Sequence, residues 1–186
     1  MKIWLLVLVV VLSLAFFGGC TTEQERAKAF VNKHLNKDMS LQEIMKLEYL
    51  DLSENKITDI TPLKALVNLK YLNLSGNQIT DITPLKSLVN LKGLYLHFNE
   101  ITDITPLKSL VKLKWFGSIY NQITDISPLK SLVNLEWLDL RNNQITDFSP
   151  LKSLVNLEEL ELHGNPISDK DIADLKRELP NCHIKQ

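Results

Sequence analysis

Apolar and polar residues alternate along this chain in a frame that recurs every 22 residues. Leu, two variable residues, Leu, one variable residue, Leu, two variable residues and Asn follow one another from Leu47, Leu69, Leu91, Leu113, Leu135 and Leu157. The frame therefore places Asn at 55, 77, 99, 121, 143 and 165. Alternation with period two predicts a short strand in each unit, its leucines pointing inward and their neighbours outward. The second half of a unit reads T-D-I-T-P-L-K-S-L-V-N with few changes. Thr61, Thr83, Thr105, Ser127 and Ser149 each precede a Pro. A hydroxyl N-cap followed by Pro at the first helical position is a helix start. So little chain remains before the next Leu that the helical piece is one or two turns, short enough to be 3₁₀.

A unit this small cannot bury its apolar face alone, so neighbours must stack into one continuous core. The predicted fold is an α/β repeat solenoid. Its concave face is a curved parallel sheet, its convex face carries short 3₁₀ or α segments, and helical caps close both ends. Strands about 4.8 Å apart would let six units span roughly 25–30 Å. The frame Asn reads as structural, since an amide both donates and accepts and can satisfy backbone groups in the turn that leaves the strand. The Asp59/81/103/125/147 and Lys64/86/108/130/152 columns read as solvated faces that set register.

The flanks differ from the units. Residues 20–46 read as an amino-terminal cap: an amphipathic helix over Glu23–Leu35, a break at Asn36-Lys37-Asp38, and a second turn from Ser40 with Glu43 as a capping box. Ser40, Leu41, Ile44 and Leu47 fall on the frame as a degenerate half repeat. Residues 47–167 hold the six repeats, and residues 168–186 a carboxy-terminal helical cap. In that cap Ser168 is the N-cap, Ile172, Leu175 and Leu179 seal the core, and Pro180 stops the helix.

The units over Leu47 to Asn165 resemble the short leucine-rich repeats of the bacterial internalin family. The resemblance implies the solenoid fold and an exposed protein that binds other proteins through its concave face. Tandem immunoglobulin-like extensions and a wall-anchoring tail, which several internalins carry, have no counterpart in these residues.

Composition changes the picture at the amino terminus. Lys2 is followed by an apolar run from Ile3 to Leu12, extended to Phe17, and then by Gly18-Gly19-Cys20. A positive start, an apolar stretch shorter than a membrane span and a small-residue zone make residues 1–19 a signal peptide. Cys20 after two glycines resembles the lipobox of bacterial lipoproteins, which implies lipidation at Cys20 and an exported protein anchored to the membrane of the cell envelope. An uncleaved signal anchor and plain secretion are the alternatives. The other cysteine, Cys182, is too isolated for a disulfide framework. It reads as a small half-buried apolar residue of the cap, against a reactive or intermolecular thiol. A formal net charge of −1 gives no basic footprint for nucleic acid.

Specificity must come from outward positions that vary. One column reads Tyr49, Tyr71, Gly93, Trp115, Trp137, Glu159; the next Asp51, Asn73, Tyr95, Gly117, Asp139, Glu161; the third Ser53, Ser75, His97, Ile119, Arg141, His163. Large exposed aromatics are enriched at binding hot spots. A patch of Tyr71, Tyr95, Trp115 and Trp137, rimmed by His97, Asp139 and Arg141, is the candidate partner-binding site; the plainer reading is strand-to-strand stacking. In the fourth unit Phe116 and Ser118 occupy Leu positions, and Gly117 and Ser118 either open a notch beside Trp115 and Tyr95 or record a distorted strand, the latter preferred. No catalytic, phosphate-binding or metal-binding motif stands out. The reading is a monomeric, non-catalytic protein-binding module without cofactors. Carbohydrate or peptidoglycan recognition and an envelope scaffold without a discrete ligand are the alternatives.

Overall fold

A computed structural model describes residues 21–186. The expected signal peptide and Cys20 lie outside the described residues. Seven strands form one parallel sheet in sequence order: β1 Tyr49–Asp51, β2 Tyr71–Asn73, β3 Gly93–Tyr95, β4 Trp115–Gly117, β5 Trp137–Asp139, β6 Glu159–Glu161 and β7 His183–Lys185. From β1 to β6 every residue pairs with the one exactly one repeat further on, Leu50 with Leu72, Leu72 with Leu94, Leu94 with Phe116. A slip of one residue would turn all these apolar side chains to solvent, so the frame itself enforces the register. The leucine-rich-repeat solenoid predicted from the frame is the observed fold.

The returning half of each of the first five units is a five-residue 3₁₀ turn: Thr61–Ala65, Thr83–Ser87, Thr105–Ser109, Ser127–Ser131 and Ser149–Ser153. In the third unit Leu91, Leu94, Leu96, Ile101, Ile104, Leu107 and Leu110 are all fully buried, and the other units repeat this layer. Each such leucine removed from water contributes about 1.5–3 kcal/mol before chain entropy is counted. The turns are stitched to one another. The hydroxyls of Ser87 and Ser109 donate to the Lys64 and Lys86 carbonyls of the preceding turn (2.8 and 3.0 Å).

One expectation for the turns is corrected. Thr61 and its equivalents lie inside the 3₁₀ turn rather than capping it with their hydroxyls. The cap is the preceding Asp. The Thr61, Thr83 and Thr105 N–H groups donate to Asp59, Asp81 and Asp103 (2.8, 2.8 and 2.7 Å), and the same bond recurs at Ser127 and Ser149. The Asp column is thus exposed but bonded. The Pro that follows each Thr or Ser has no N–H to satisfy, so one carboxylate suffices for the turn.

Both ends of the core are closed within residues 21–186. Helix α1 (Glu23–Leu35), N-capped by Thr22, lays Ala27 and Val31 against the first 3₁₀ turn. Helix α2 (Leu41–Met45) carries the predicted Ser40/Glu43 capping box and buries Ile44. At the far end α3 (Asp169–Glu178), N-capped by Ser168, buries Ile172 and Leu175. The carboxy-terminal cap is more than a helix: β7 extends the sheet, pairing Leu160 with Ile184. Between α3 and β7 the Cys182 thiol is half-buried, and burial pushes its pKa up to about 11. That protects it from thiolate chemistry near neutral pH.

Candidate functional site

The sheet register assembles the candidate site, because outward residues one repeat apart must lie side by side. Tyr71, Tyr95, Trp115 and Trp137 are brought together, all half-buried. They pair across glycines rather than with direct neighbours. Gly93 lies between Tyr71 and Trp115, whose ring centroids are 6.0 Å apart at an interplanar angle of 26°. A side chain at Gly93 would meet Tyr71 Cδ1 at 2.8 Å, so the glycine is the space into which that ring leans. Tyr95 reaches Trp137 diagonally, two strands on, with centroids 6.2 Å apart, and also packs on His97 at 5.9 Å. Desolvation raises the Tyr95 pKa, so its hydroxyl stays neutral. The Lys114 ammonium sits 5.8 Å from the Trp115 ring centroid, within cation–π range.

The fourth unit is neither notched nor distorted. β4 keeps register on both sides. The His97 imidazole fills the space over Gly117, where an added Cβ would stand 2.2 Å from His97 Cε1. His97 is fixed there by the Ile119 N–H, which donates to Nδ1 (3.1 Å). Ser118 is fully buried, and its hydroxyl accepts from the Asn121 amide (3.0 Å). Burial lowers the His97 pKa, with Arg141 acting in the same direction and Asp139 against it.

The polar rim is also redrawn. Asp139 is only 1% exposed, whereas the rim reading placed it in solvent. Arg141 covers it with a forked contact, Nε to Oδ1 at 2.9 Å and Nη2 to Oδ2 at 2.6 Å. A desolvated carboxylate of this kind needs its partner. Arg141 also approaches Glu161 (3.9 Å), whose carboxylate accepts from Lys185 Nζ (2.7 Å). Asp139 and Glu161 are therefore each held by a cation. Arg141 and His97 remain half-buried at the surface beside the aromatics.

Two residues outside the expected set join the site. Phe98 and Tyr120 are 56% and 53% exposed, with rings stacked 5.0 Å apart at 20°. Both have left-handed backbone, φ 54° and 52°, as do Glu54, Gly76, Asn142 and Gly164 at the same point of the other units. Left-handed geometry costs an ordinary side chain about 1–2 kcal/mol, which Gly and Asn largely escape. An aromatic pair contributes about 0.5–1.5 kcal/mol beyond its buried area. Stacking of the two rings offsets part of that cost.

Comparison with known proteins agrees with the fold. A family described as Leucine Rich repeats (2 copies) matches residues 46–87 and 133–177. An internalin (InlF) of Listeria monocytogenes is similar in structure with a TM-score of 0.69 and 37% sequence identity, over 75% of this chain and 43% of that one. A leucine-rich-repeat protein of Leptospira interrogans gives a TM-score of 0.72 and 33% identity, over 77% of this chain and 38% of that one. The chain is a leucine-rich-repeat solenoid that is similar to these internalin-type proteins. The chain spans less than half the length of either of these two relatives. No curated protein matches it.

Leucine-rich-repeat proteins generally act as protein-binding modules, and the fold is typically a scaffold for interaction rather than catalysis. In these repeats the frame Asn does the internal work. Asn99 Oδ1 accepts from Ile79 N–H (3.0 Å), while its Nδ2 donates to the carbonyls of Leu74 and Leu96 (3.0 and 3.1 Å). Among the described residues no cluster of three or more His, Cys, Asp or Glu is placed to hold a metal ion. No described helix is long and apolar enough to cross a membrane.

Proposed function

We propose that the concave face binds a protein partner, using Tyr71, Tyr95, Trp115 and Trp137 as anchors and His97 and Arg141 as polar neighbours. The observation that carries this reading is the interleaved, half-exposed aromatic ribbon on a rigid sheet. Rings already held by each other and by Gly93 and Gly117 lose little freedom on binding, which lowers the ordering cost of association. The stacked Phe98–Tyr120 pair extends the surface beyond the strand ends, and Asp139 supports it from beneath by holding Arg141. The module works without catalysis and as a monomer. Residues 1–19 direct export and Cys20 carries the lipid that anchors it in the cell envelope, a reading supported by the Lys2, apolar-run and Gly-Gly-Cys pattern.

Capture from envelope extract by residues 21–186 tests the reading, with a Trp115→Ala/Trp137→Ala variant of unchanged circular dichroism beside it. A protein held by the wild type and lost by the variant is the expected result. Equal capture by both would move binding to another surface.

A further inference from the structure

Along the edge where the chain enters each strand, the repeats break a rule of their own. In the column that precedes each frame Leu, Asn68, Asn90, Asn134 and Asn156 donate Nδ2 to the carbonyls of Met45, Val67, Val111 and Val133 (2.8, 3.0, 2.8 and 2.8 Å). This ladder ties each unit to the one before it. In the fourth unit the column holds Lys112, which gives up the bond to the preceding unit's carbonyl and instead donates to Asn90 Oδ1 (2.7 Å). Lys112 thus keeps a tie to the neighbouring unit but makes it through a flexible charged side chain in place of the fixed backbone bond.

The departure adds charge to charge. Lys112 lines a surface groove of about 470 Å³ with Lys46, Lys70, Lys92, Asn68 and Asn90, against a single carboxylate, Glu48. Glu48 pairs with Lys70 (2.6 Å), and Lys114 just beyond pairs with Glu136. Among the described residues Lys46, Lys92 and Lys112 form no ion pair. Unneutralised like charges on neighbouring units repel one another, and an anion set among them relieves that repulsion. Lys70 and Lys92 share a column with Lys114, whose ammonium stands 5.8 Å from the Trp115 ring centroid, so this column borders the aromatic face.

We propose that this groove receives an Asp/Glu-rich segment of the protein that the concave face binds. The proposal rests on the reading of that face as a protein-binding surface and adds the charge of its partner. Lysine ammoniums without fixed partners make such contacts as point charges, so they set attraction and approach more than geometry.

The test is a nuclear magnetic resonance titration of ¹⁵N-labelled residues 21–186 with a hexaglutamate peptide, with hexaglutamine and inorganic tripolyphosphate as parallel probes. Hexaglutamate should shift the amides of Lys70, Lys92 and Lys112 saturably, more weakly as salt rises from about 0.01 to 0.15 M. Lys92→Gln/Lys112→Asn should lose binding by roughly tenfold or more. Lys112→Asn alone should raise the melting temperature by restoring the ladder bond. Shifts with hexaglutamine equal to those with hexaglutamate, or undiminished binding by the double variant, would overturn the proposal. Tripolyphosphate bound more tightly than hexaglutamate would overturn the peptide as occupant in favour of a phosphate. Because the probe is a defined peptide and the variants are lysines, this result is independent of whether substitution of Trp115 and Trp137 abolishes partner capture.

Discussion

Asn99→Ala isolates what one frame asparagine contributes. The side chain is 8% exposed, so the groups it leaves behind see little water. The Leu74 carbonyl keeps a second donor in Asn77 (2.9 Å), and the Leu96 carbonyl keeps Asn121 (2.9 Å). The Ile79 N–H has no such substitute, because Asn99 Oδ1 is its acceptor. One orphaned buried N–H costs about 1–3 kcal/mol, and the two weakened carbonyls add several tenths each, so the total is about 2–4 kcal/mol. Asn55 is the internal control. It starts the same column, but its amide donates only to the Ser53 carbonyl (2.7 Å), and the Ile57 N–H is served by Asn77 (2.8 Å). Asn55→Ala should therefore cost less than about 1 kcal/mol. Urea unfolding of both variants, followed by circular dichroism and by tryptophan fluorescence, measures the difference; coincident curves are needed because solenoids can unfold in parts. Costs within about 0.5 kcal/mol of each other would refute the assignment of the column to cross-repeat bonding.

Other consequences are equally direct. Arg141→Met leaves the Asp139 carboxylate buried without its cation; removal of one partner from a buried pair costs about 3–5 kcal/mol, and the partial exposure of Arg141 argues for the lower end. Asp139→Asn in the same chain should recover most of that loss in an unfolding titration. His97 titrates below its ordinary value, so between the folded pKa and about 6.5 the unfolded chain binds more protons, and stability must fall as pH falls through that window. An imidazole titration followed by NMR, set beside melting temperatures, checks this; a His97 pKa above 6.5 would contradict the packing over Gly117. Cys182, with its thiol pKa pushed up to about 11, should react with a thiol reagent at pH 8 far more slowly in the folded protein than in urea.

The parts of this molecule that repeat were readable in the sequence, and the parts that cross repeats were not. Strand register follows from leucines at fixed spacing, because one face must be buried and a slip would expose it. The capping box at Ser40 and Glu43 is local, so four residues suffice to recognise it. β7 was hidden because α3 lengthens the last return: Glu161 meets Lys185 across a separation of 24 residues rather than 22, which takes the strand off the frame. The rim failed for a different reason. Whether Asp139 faces water depends on the Arg141 side chain folding back over it, which alternation in and out cannot convey. The lean of Tyr71 over Gly93 and of His97 over Gly117 likewise arises between units. Phe98 and Tyr120 did leave a signal, since Gly76, Asn142 and Gly164 in their column mark a left-handed position that ordinary side chains seldom occupy.

Binding through the concave aromatic face is most directly tested by site-specific photo-crosslinking in the producing cell. A benzophenone amino acid would replace Ile119 on the concave face, beside the anchors but not one of them, or Lys108 on the convex face, both half-exposed or exposed and remote from the caps. One discrete protein adduct is predicted from position 119 and none from position 108. An adduct from position 108 with none from position 119 would contradict binding through the concave face.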